Sequence, residues 1–255
     1  MTTFSLFALL AACGGDDTKD TAGTSDTSGT SDTSDTTDTG MPAMASVRVL
    51  HLSPDAPAVD VYFDDMADPV LEDLMFGQGT DYAGVPSGQH RLRVAPANTS
   101  AASAVIDVAP NLAPDARYTA VAIGRVASIA PLLLTDDSMG LDAAKLRVQV
   151  VHAASAFGQV DIWEVSGPTP MLLLENVDFG AHAVLPDLPA GAYTVGIDAT
   201  NDGVPDLVFS LPDLPGGLFV NLFAVSNAAN EAYLVAQLPD GTVAPIPPNG
   251  PVPAR

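Results

Sequence analysis

Short segments in which hydrophobic and polar residues alternate fill the chain from residue 46 to residue 240. Alternation with a period of two is typical of β-strands that bury one face, and helical periodicity is hard to find. In the first half of this region, turns rich in Pro, Gly, Asp and Asn separate seven such segments. The seven predicted strands span residues 47–52, 58–63, 70–76, 89–95, 105–108, 118–124 and 132–135. This pattern predicts an all-β fold, an immunoglobulin-like sandwich.

The same pattern returns about 101 residues further along the chain. VRVLHLSPDAPAVDVYF, from residue 47, matches LRVQVVHAASAFGQVDIWE, from residue 146, on its histidine and on Val-Asp-hydrophobe-aromatic. VPSG then matches LPAG, and RYTAVAIG matches LFVNLFAVS, in the same order. Repeated order at a nearly constant offset indicates a duplicated unit. We predict two tandem sandwiches, at residues 46–140 and 141–240.

The first unit resembles a known bacterial family. VRVLHLSPDAPAVDVYFDD, FGQGTDYAGVPSGQHRLRVAPA, ARYTAVAIG and PLLLTDD are, in that order, similar to DUF4397, a family of secreted domains of unknown function. In the second unit the resemblance is looser, because Ala154 to Gly158 replace Ser-Pro-Asp-Ala-Pro. The resemblance implies an exported β domain that often occurs in tandem, and it implies no enzyme activity.

The first residues of the chain predict export and lipid attachment. The apolar run at residues 4–12 is too short to span about 30 Å of hydrocarbon, and it fits a secretory signal, although no Lys or Arg precedes it. LAAC at residues 10–13 resembles the lipobox of bacterial lipoproteins. The resemblance implies that residues 1–12 are removed and that Cys13 carries the lipid, palmitate included. Gly14 resembles the outer-membrane sorting pattern, so we expect an outer-membrane lipoprotein of the cell envelope, periplasmic or surface-exposed.

Composition defines the flanking segments and the class of partner. Residues 13–45 are mostly Asp, Ser, Thr and Gly, and with little to bury they are predicted to form a disordered tether. Residues 241–255 are predicted to form a Pro-rich tail without regular structure. The formal charge is −22, with nine Lys and Arg against 31 Asp and Glu. Because binding to phosphates needs clustered cations, nucleic acid is excluded as a partner.

The segment from His51 to Asp65 holds one histidine and four carboxylates, which raises the question of a metal site. A site built on His51, Asp55 and Asp60 would exist in one copy only, because Ala156 replaces Asp55 in the second. Period-two alternation places His51 and the equivalent His152 on the apolar face of their strands. We therefore predict buried histidines with backbone partners.

The other face of these strands carries arginines. If the first two strands of each unit pair, Arg48 with Asp60 and Arg147 with Asp161 are predicted to form cross-strand ion pairs at the surface.

The segment DATNDGVPD, residues 198–206, is the better candidate for a cation. Asp198, Thr200, Asp202 and Asp206 supply oxygen ligands, and the opening spacing copies a calcium loop. The twelfth position, where an EF-hand needs a carboxylate, is Phe209. The alternative is an Asn-Asp-Gly turn between two strands. Beyond this Ca²⁺ candidate we expect no cofactor.

The chain lacks the usual catalytic signatures: it has no Gly-x-Ser-x-Gly, no His-Glu-x-x-His and no phosphate-binding glycine loop. Tyr62 and Trp163 occupy equivalent positions, where they contact a carbohydrate or protein partner or pack under a loop. The sequence favours a non-catalytic binding or structural module displayed on the envelope. The alternatives are a calcium-stabilised adhesion module and a hydrolase of envelope polysaccharide, which needs two carboxyls about 5 to 10 Å apart.

Overall fold

The computed structural model describes residues 42–249, and its fold is all-β. Two 3₁₀ helices of three residues each, Ala101–Ser103 and Val126–Ser128, are the helical segments of this part of the chain. The first half contains β1 Met44–Leu52, β2 Val59–Phe63, β3 Leu71–Leu74, β4 Ala83–Pro86, β5 Gly88–Gln89, β6 Leu92–Pro96, β7 Ile106–Val108, β8 Asn111–Leu112, β9 Arg117–Ile123 and β10 Ala130–Thr135.

The second half, as far as residue 249, also has ten strands. It contains β11 Lys145–Ala153, β12 Val160–Glu164, β13 Met171–Val177, β14 His182–Val184, β15 Leu188–Pro189, β16 Thr194–Asp198, β17 Leu207–Ser210, β18 Leu218–Ser226, β19 Ala232–Gln237 and β20 Val243–Ile246. An isolated bridge between Gly191 and Leu214 stands where the first half has the pair β5-β8, and β20 is added at the end. Between residues 42 and 249 no helix is long and apolar enough to cross a membrane.

Both halves share one order of strand pairing. In the first half, β10-β9-β1-β4 form a sheet that we call the first inner sheet, and β3-β2-β6-β7 form the first outer sheet. In the second half, the second inner sheet contains β19-β18-β11-β14, and the second outer sheet is β13-β12-β16-β17. β1 runs parallel to β9, and β11 runs parallel to β18. β20 extends the second inner sheet by pairing with β19.

The inner and outer sheet of each half pack face to face. In the first half, Val59 and Val61 of β2 and Val94 of β6 share a core with Ala122 of β9. In the second half, a larger core includes Ile162, Ile197, Phe209 and Leu222. Because side chains alternate along a strand, these residues account for only one face of each inner sheet.

The other faces of the two inner sheets pack against each other. Ten buried residues form this contact, which we call the interface core: Leu50, Leu52, Val121, Ile123 and Leu134 from the first half, and Val151, Ala153, Phe223, Val225 and Val235 from the second. In the parallel registers, Leu50 lies opposite Val121, and Val151 lies opposite Phe223. The central strands are therefore buried on both faces, and the two halves share a hydrophobic core.

All seven strands predicted for the first half are present, with ends shifted by up to three residues. The short strands β4, β5 and β8 were not predicted. β1 begins at Met44, inside the segment predicted to be tether, and residues 13–41 of that segment lie outside the described residues.

The prediction that residues 241–255 lack regular structure is wrong for β20. β20 tolerates Pro245 because it is an edge strand. Leu238 N donates to Thr242 O, so these two residues form a hydrogen-bonded pair. Hydrogen-bonded and non-hydrogen-bonded pairs alternate along antiparallel strands, which makes Pro245 and Val235 a non-hydrogen-bonded pair. The missing N–H of Pro245 therefore removes no hydrogen bond between β19 and β20.

Candidate functional site

A group of buried polar side chains lies beside the interface core. Arg48 on β1, Thr119 on β9 and Asp136 after β10 come from the first half, and Asn221 on β18 comes from the second. All four are buried, and the parallel register places Arg48 opposite Thr119. With Tyr82 they form what we call the interface polar cluster.

Arg48 connects the two halves. Its Nε donates to Thr119 Oγ1 at 2.8 Å, and its Nη2 lies 3.3 Å from Asp136 Oδ2. Its Nη1 donates to the carbonyl oxygen of Leu238, in the second half, at 2.6 Å. Asn221 Nδ2 crosses in the other direction and donates to Asp136 Oδ1 at 2.8 Å. One ion pair with its hydrogen bonds thus links β1, β9 and β18.

Tyr82 completes the cluster. Its hydroxyl donates to Asp136 Oδ2, as does the hydroxyl of Thr119, and its ring centroid lies 4.5 Å from the Arg48 guanidinium carbon. Burial and the negative charge of Asp136 raise the pKa of Tyr82, so the hydroxyl stays protonated and donates. Burial lowers the pKa of Arg48, and the nearby Asp136 opposes that effect. Since its charges are paired and hydrogen-bonded inside the protein, the cluster orients the two halves.

The ion pairs predicted for the two arginines are wrong. β1 and β2 lie in different sheets, so Arg48 does not meet Asp60. Arg147 pairs instead with Asp187, with Nε 2.8 Å from Oδ1 and Nη2 3.0 Å from Oδ2. The prediction assumed that strands adjacent in sequence are paired, whereas in this fold the chain crosses from one sheet to the other between them.

The two aspartates of the second strands bind backbone amides. Asp60 accepts from the N–H groups of Asp73 and Asn98, each at 2.9 Å, and Asp161 accepts from that of Asn176 at 2.7 Å. Both carboxylates are buried. Asp73 lies in β3 and Asn176 in β13, where the pairing register shifts. Both carboxylates therefore hold irregular backbone of the adjoining edge strands, and Asp60 also holds the turn after β6.

His51 and His152 are buried and bonded to the backbone, as predicted. His51 Nε2 lies 3.3 Å from the carbonyl oxygen of Pro57, and its Nδ1 accepts from Ser53 N at 3.3 Å. His152 repeats the arrangement with Gly158 O at 2.7 Å and Ala154 N at 3.4 Å. Because Nδ1 accepts in both residues, Nε2 carries the proton and both rings are neutral.

The buried histidines predict a loss of stability in mild acid. Burial lowers the pKa of His51 and of His152 below the ordinary value of 6.5. In mild acid the unfolded chain therefore binds more protons than the folded chain. The free energy of unfolding should fall as the pH drops below about 6.5, by up to about 1.4 kcal/mol per pH unit for each histidine. Urea unfolding at pH 7.0 and pH 5.5 measures this fall.

The control for the acid effect is a third histidine. His51→Gln and His152→Gln should each show a smaller fall between the two pH values, whatever their stability at pH 7. The exposed His182→Gln should keep the wild-type fall. If a variant lacking both buried histidines keeps the full pH dependence of the free energy of unfolding, other groups cause the effect.

The residues of the first metal hypothesis do not come together. Asp55 Oδ1 accepts from Val126 N at 2.8 Å, and its Oδ2 lies 3.6 Å from Arg125 Nη1. Asp60 and His51 are occupied by the backbone as described. Within residues 42–249, no group of three or more His, Cys, Asp or Glu side chains is placed to hold a metal ion.

The acidic loop at residues 199–206 connects the antiparallel strands β16 and β17. Asp198 Oδ2 accepts from Gly203 N at 2.7 Å, and Asp202 Oδ1 accepts from Val204 N at 3.0 Å. Asp206 Oδ2 accepts from Ala199 N at 2.9 Å and from Thr200 Oγ1 at 3.1 Å. Burial works against ionisation of Asp198, yet backbone N–H groups, first that of Gly203, hold its pKa below the ordinary value. These oxygens shape the turn, and calcium binding at Asp198, Thr200, Asp202 and Asp206 stays a prediction.

Of the two equivalent aromatic residues, Tyr62 is buried under a neighbouring loop and Trp163 is half-buried. Tyr62 is 3% exposed, and its hydroxyl donates to the carbonyl oxygen of Thr99 at 2.6 Å. Trp163 is half-buried between Leu172 and Gly196 of the adjoining strands. A ligand therefore cannot reach the ring of Tyr62 without moving the loop that holds it.

Comparison with known proteins finds a family model that matches part of the chain and a distant solved structure. No curated protein matches the chain. Among solved structures, the Bacillus anthracis TIE protein aligns with 82% of this chain at 11% identity and a TM-score of 0.24, and the chain spans 44% of its length. A family model described as "Domain of unknown function (DUF4397)" matches residues 45–163, which hold nearly all of the first half, β11 and most of β12. The chain thus contains one match to the DUF4397 domain, from the start of β1 through Trp163 of β12.

Proposed function

We propose that this chain is a lipid-anchored cell-envelope protein whose two immunoglobulin-like sandwiches form one rigid, non-catalytic binding or structural module. The observation that carries the proposal is the double burial of the inner sheets. Each inner sheet packs against its own outer sheet on one face and against the other half on the opposite face. Two domains joined through a shared hydrophobic core move as one body.

The common pairing order supports a duplicated DUF4397-like unit. Each half has a parallel pair of central strands, a histidine bonded to the backbone at the end of the first strand, and an aspartate in the second strand that accepts a hydrogen bond from a backbone N–H of the third strand. The second half has diverged further, since the family model stops at residue 163.

The roles of the buried acids support a non-catalytic module. Asp60, Asp161 and Asp198 accept hydrogen bonds from backbone N–H groups, and Asp136 is paired with Arg48. Each of these carboxylates therefore has a structural task. A polysaccharide hydrolase would need two carboxyls facing a cleft.

Membrane anchoring is tested by replacing the cysteine. Cys13→Ser removes the thiol that would carry the lipid, so the protein should move almost completely from the membrane fraction to the soluble envelope fraction. Cell fractionation and immunoblotting measure the change, with Ser5→Ala as a control that keeps the thiol. Equal retention of Cys13→Ser in the membrane fraction would refute the anchor.

A further inference from the structure

The first half contains a cavity of about 280 Å³ between its inner and outer sheets. Its walls include Val61 of β2, Val94 of β6 and Ala120 of β9. Two edge strands form the two sides of its mouth, which we call its lips: β7 with Val108 and β10 with Leu133. Because Leu133 is 37% exposed, the mouth of the cavity opens to solvent between these two strands.

The lining is apolar almost throughout. His51 is the single polar residue among the side chains that line it, and both ring nitrogens of His51 are occupied by backbone groups. No lining side chain offers a free hydrogen bond or a charge. An apolar cavity stays dry and takes up apolar ligands.

The second half shows what this space looks like when it is filled. Leu222 stands at the register position of Ala120, since each lies opposite the equivalent valine of the first strand. Phe209 likewise stands at the position of Val108, and it is fully buried. The second sandwich therefore fills with its own side chains the region that the first leaves open.

The mouth is also closed in the second half. β20 pairs with the outer edge of β19 and places Ile246 in the core. Asn249 then bonds to the facing strand β17, with its N–H 2.7 Å from Val208 O. Within residues 42–249, β10 has no strand on its outer edge.

Prolines at the mouth favour a hydrocarbon chain over a peptide strand as the occupant. A peptide strand adding to β10 would need backbone donors along that edge, but Pro131 has no N–H, and Pro110 stands on the opposite lip. A hydrocarbon chain needs no donor. The arrangement thus suits a ligand whose apolar part enters between the sheets and whose polar end stays in solvent.

We propose that this cavity binds the aliphatic chain of a small amphiphile. Because an apolar cavity of about 150 Å³ binds benzene, the ligand part inside should have roughly ten to twelve carbon atoms. The proposal gives the binding module a ligand class. It rests on the first half alone, so failure of the Cys13→Ser experiment would leave it standing.

The test uses decanoate and the full-length chain carrying Cys13→Ser, so that no attached lipid competes. Titration calorimetry should show one site, and nuclear Overhauser contacts should join the decanoate chain to the methyl groups of Val61 and Val94. Ala120→Leu with Val108→Phe installs the residues of the second half, and it should weaken decanoate binding at least tenfold.

The control pair makes the same changes in size on the surface: Ala127→Leu with Val126→Phe, at exposed positions. It should bind decanoate like the parent chain. Should the filled variant fold poorly, a rise in melting temperature of the parent chain with decanoate, together with the Val61 and Val94 contacts, decides the matter. Absence of binding, equal binding by a folded filled variant, or binding only of the peptide TVAPIPPN from residues 242–249 would overturn the proposal.

Discussion

Arg48→Met should lower the free energy of unfolding by about 3 to 5 kcal/mol, because it leaves Asp136 as an uncompensated buried charge. The methionine retains most of the apolar stem of Arg48, so the lost packing is small. The lost interactions are the ion pair, the hydrogen bond to Thr119 and the contact with Leu238 O in the second half. Equilibrium unfolding in urea measures the change.

Two further variants distinguish a buried charge from a general loss of contacts. Arg48→Met combined with Asp136→Leu removes both charges, so it should recover a substantial part of the stability. Arg91→Met breaks an arginine–aspartate pair of the surface, between side chains 48% and 44% exposed, and it should cost far less. If Arg48→Met costs no more than Arg91→Met, the interface polar cluster does not hold the halves together.

Much of the fold follows from the sequence, because period-two alternation and turn residues are local signals. They locate the seven main strands of the first half, and the repeat extends them to the second. They also place His51 and His152 on buried faces. The short strands β4, β5 and β8 have two to four residues each, too few for alternation to be read.

The interface was missed although the sequence carries a trace of it. A strand with one solvent face alternates, whereas a strand covered on both faces is apolar almost throughout. β18, LFVNLFAVS, is of the second kind, because seven of its nine residues are apolar. Arg48 resembled a surface residue because its partners are far along the chain, at Asp136 and Leu238. A local sequence pattern cannot predict contacts between residues so far apart in the chain.

The cavity could not have been predicted from either half alone. In the sequence, its lining residues are typical of an ordinary hydrophobic core. Only the three-dimensional register equates Ala120 with Leu222 and Val108 with Phe209, and thereby shows which copy is underfilled. The cavity of the first half is thus recognised only by comparison with the second half, where larger side chains fill the same region.

A close approach of the two halves explains why their relative position is fixed. Gly241, at φ +79°, lies so near Asp81 of the first half that any side chain there would collide with that carboxylate. The contact joins the turn before β20 to the loop before β4. Together with the interface polar cluster, it adds contacts between the two halves outside the interface core.

Phe223→Ala should cost about 3 to 5 kcal/mol and should weaken both halves at once. Phe223 is fully buried in the interface core, so its loss opens a cavity between the inner sheets. Trp163 is the only tryptophan and reports on the second half by fluorescence. Hydrogen exchange of the β2 amides reports on the first, and the two probes should show the same loss of stability.

The matched variant is Phe209→Ala, which truncates an equally buried phenylalanine in the second half's own core. Methyl resonances of Leu50 and Val121 should shift in Phe223→Ala and stay in place in Phe209→Ala, because only Phe223 shares the interface core with them. If Phe223→Ala weakens the second half while β2 exchange is unchanged, the sandwiches fold independently. A rigid two-sandwich module requires the opposite, since a core shared by two halves cannot be damaged in one without loosening the other.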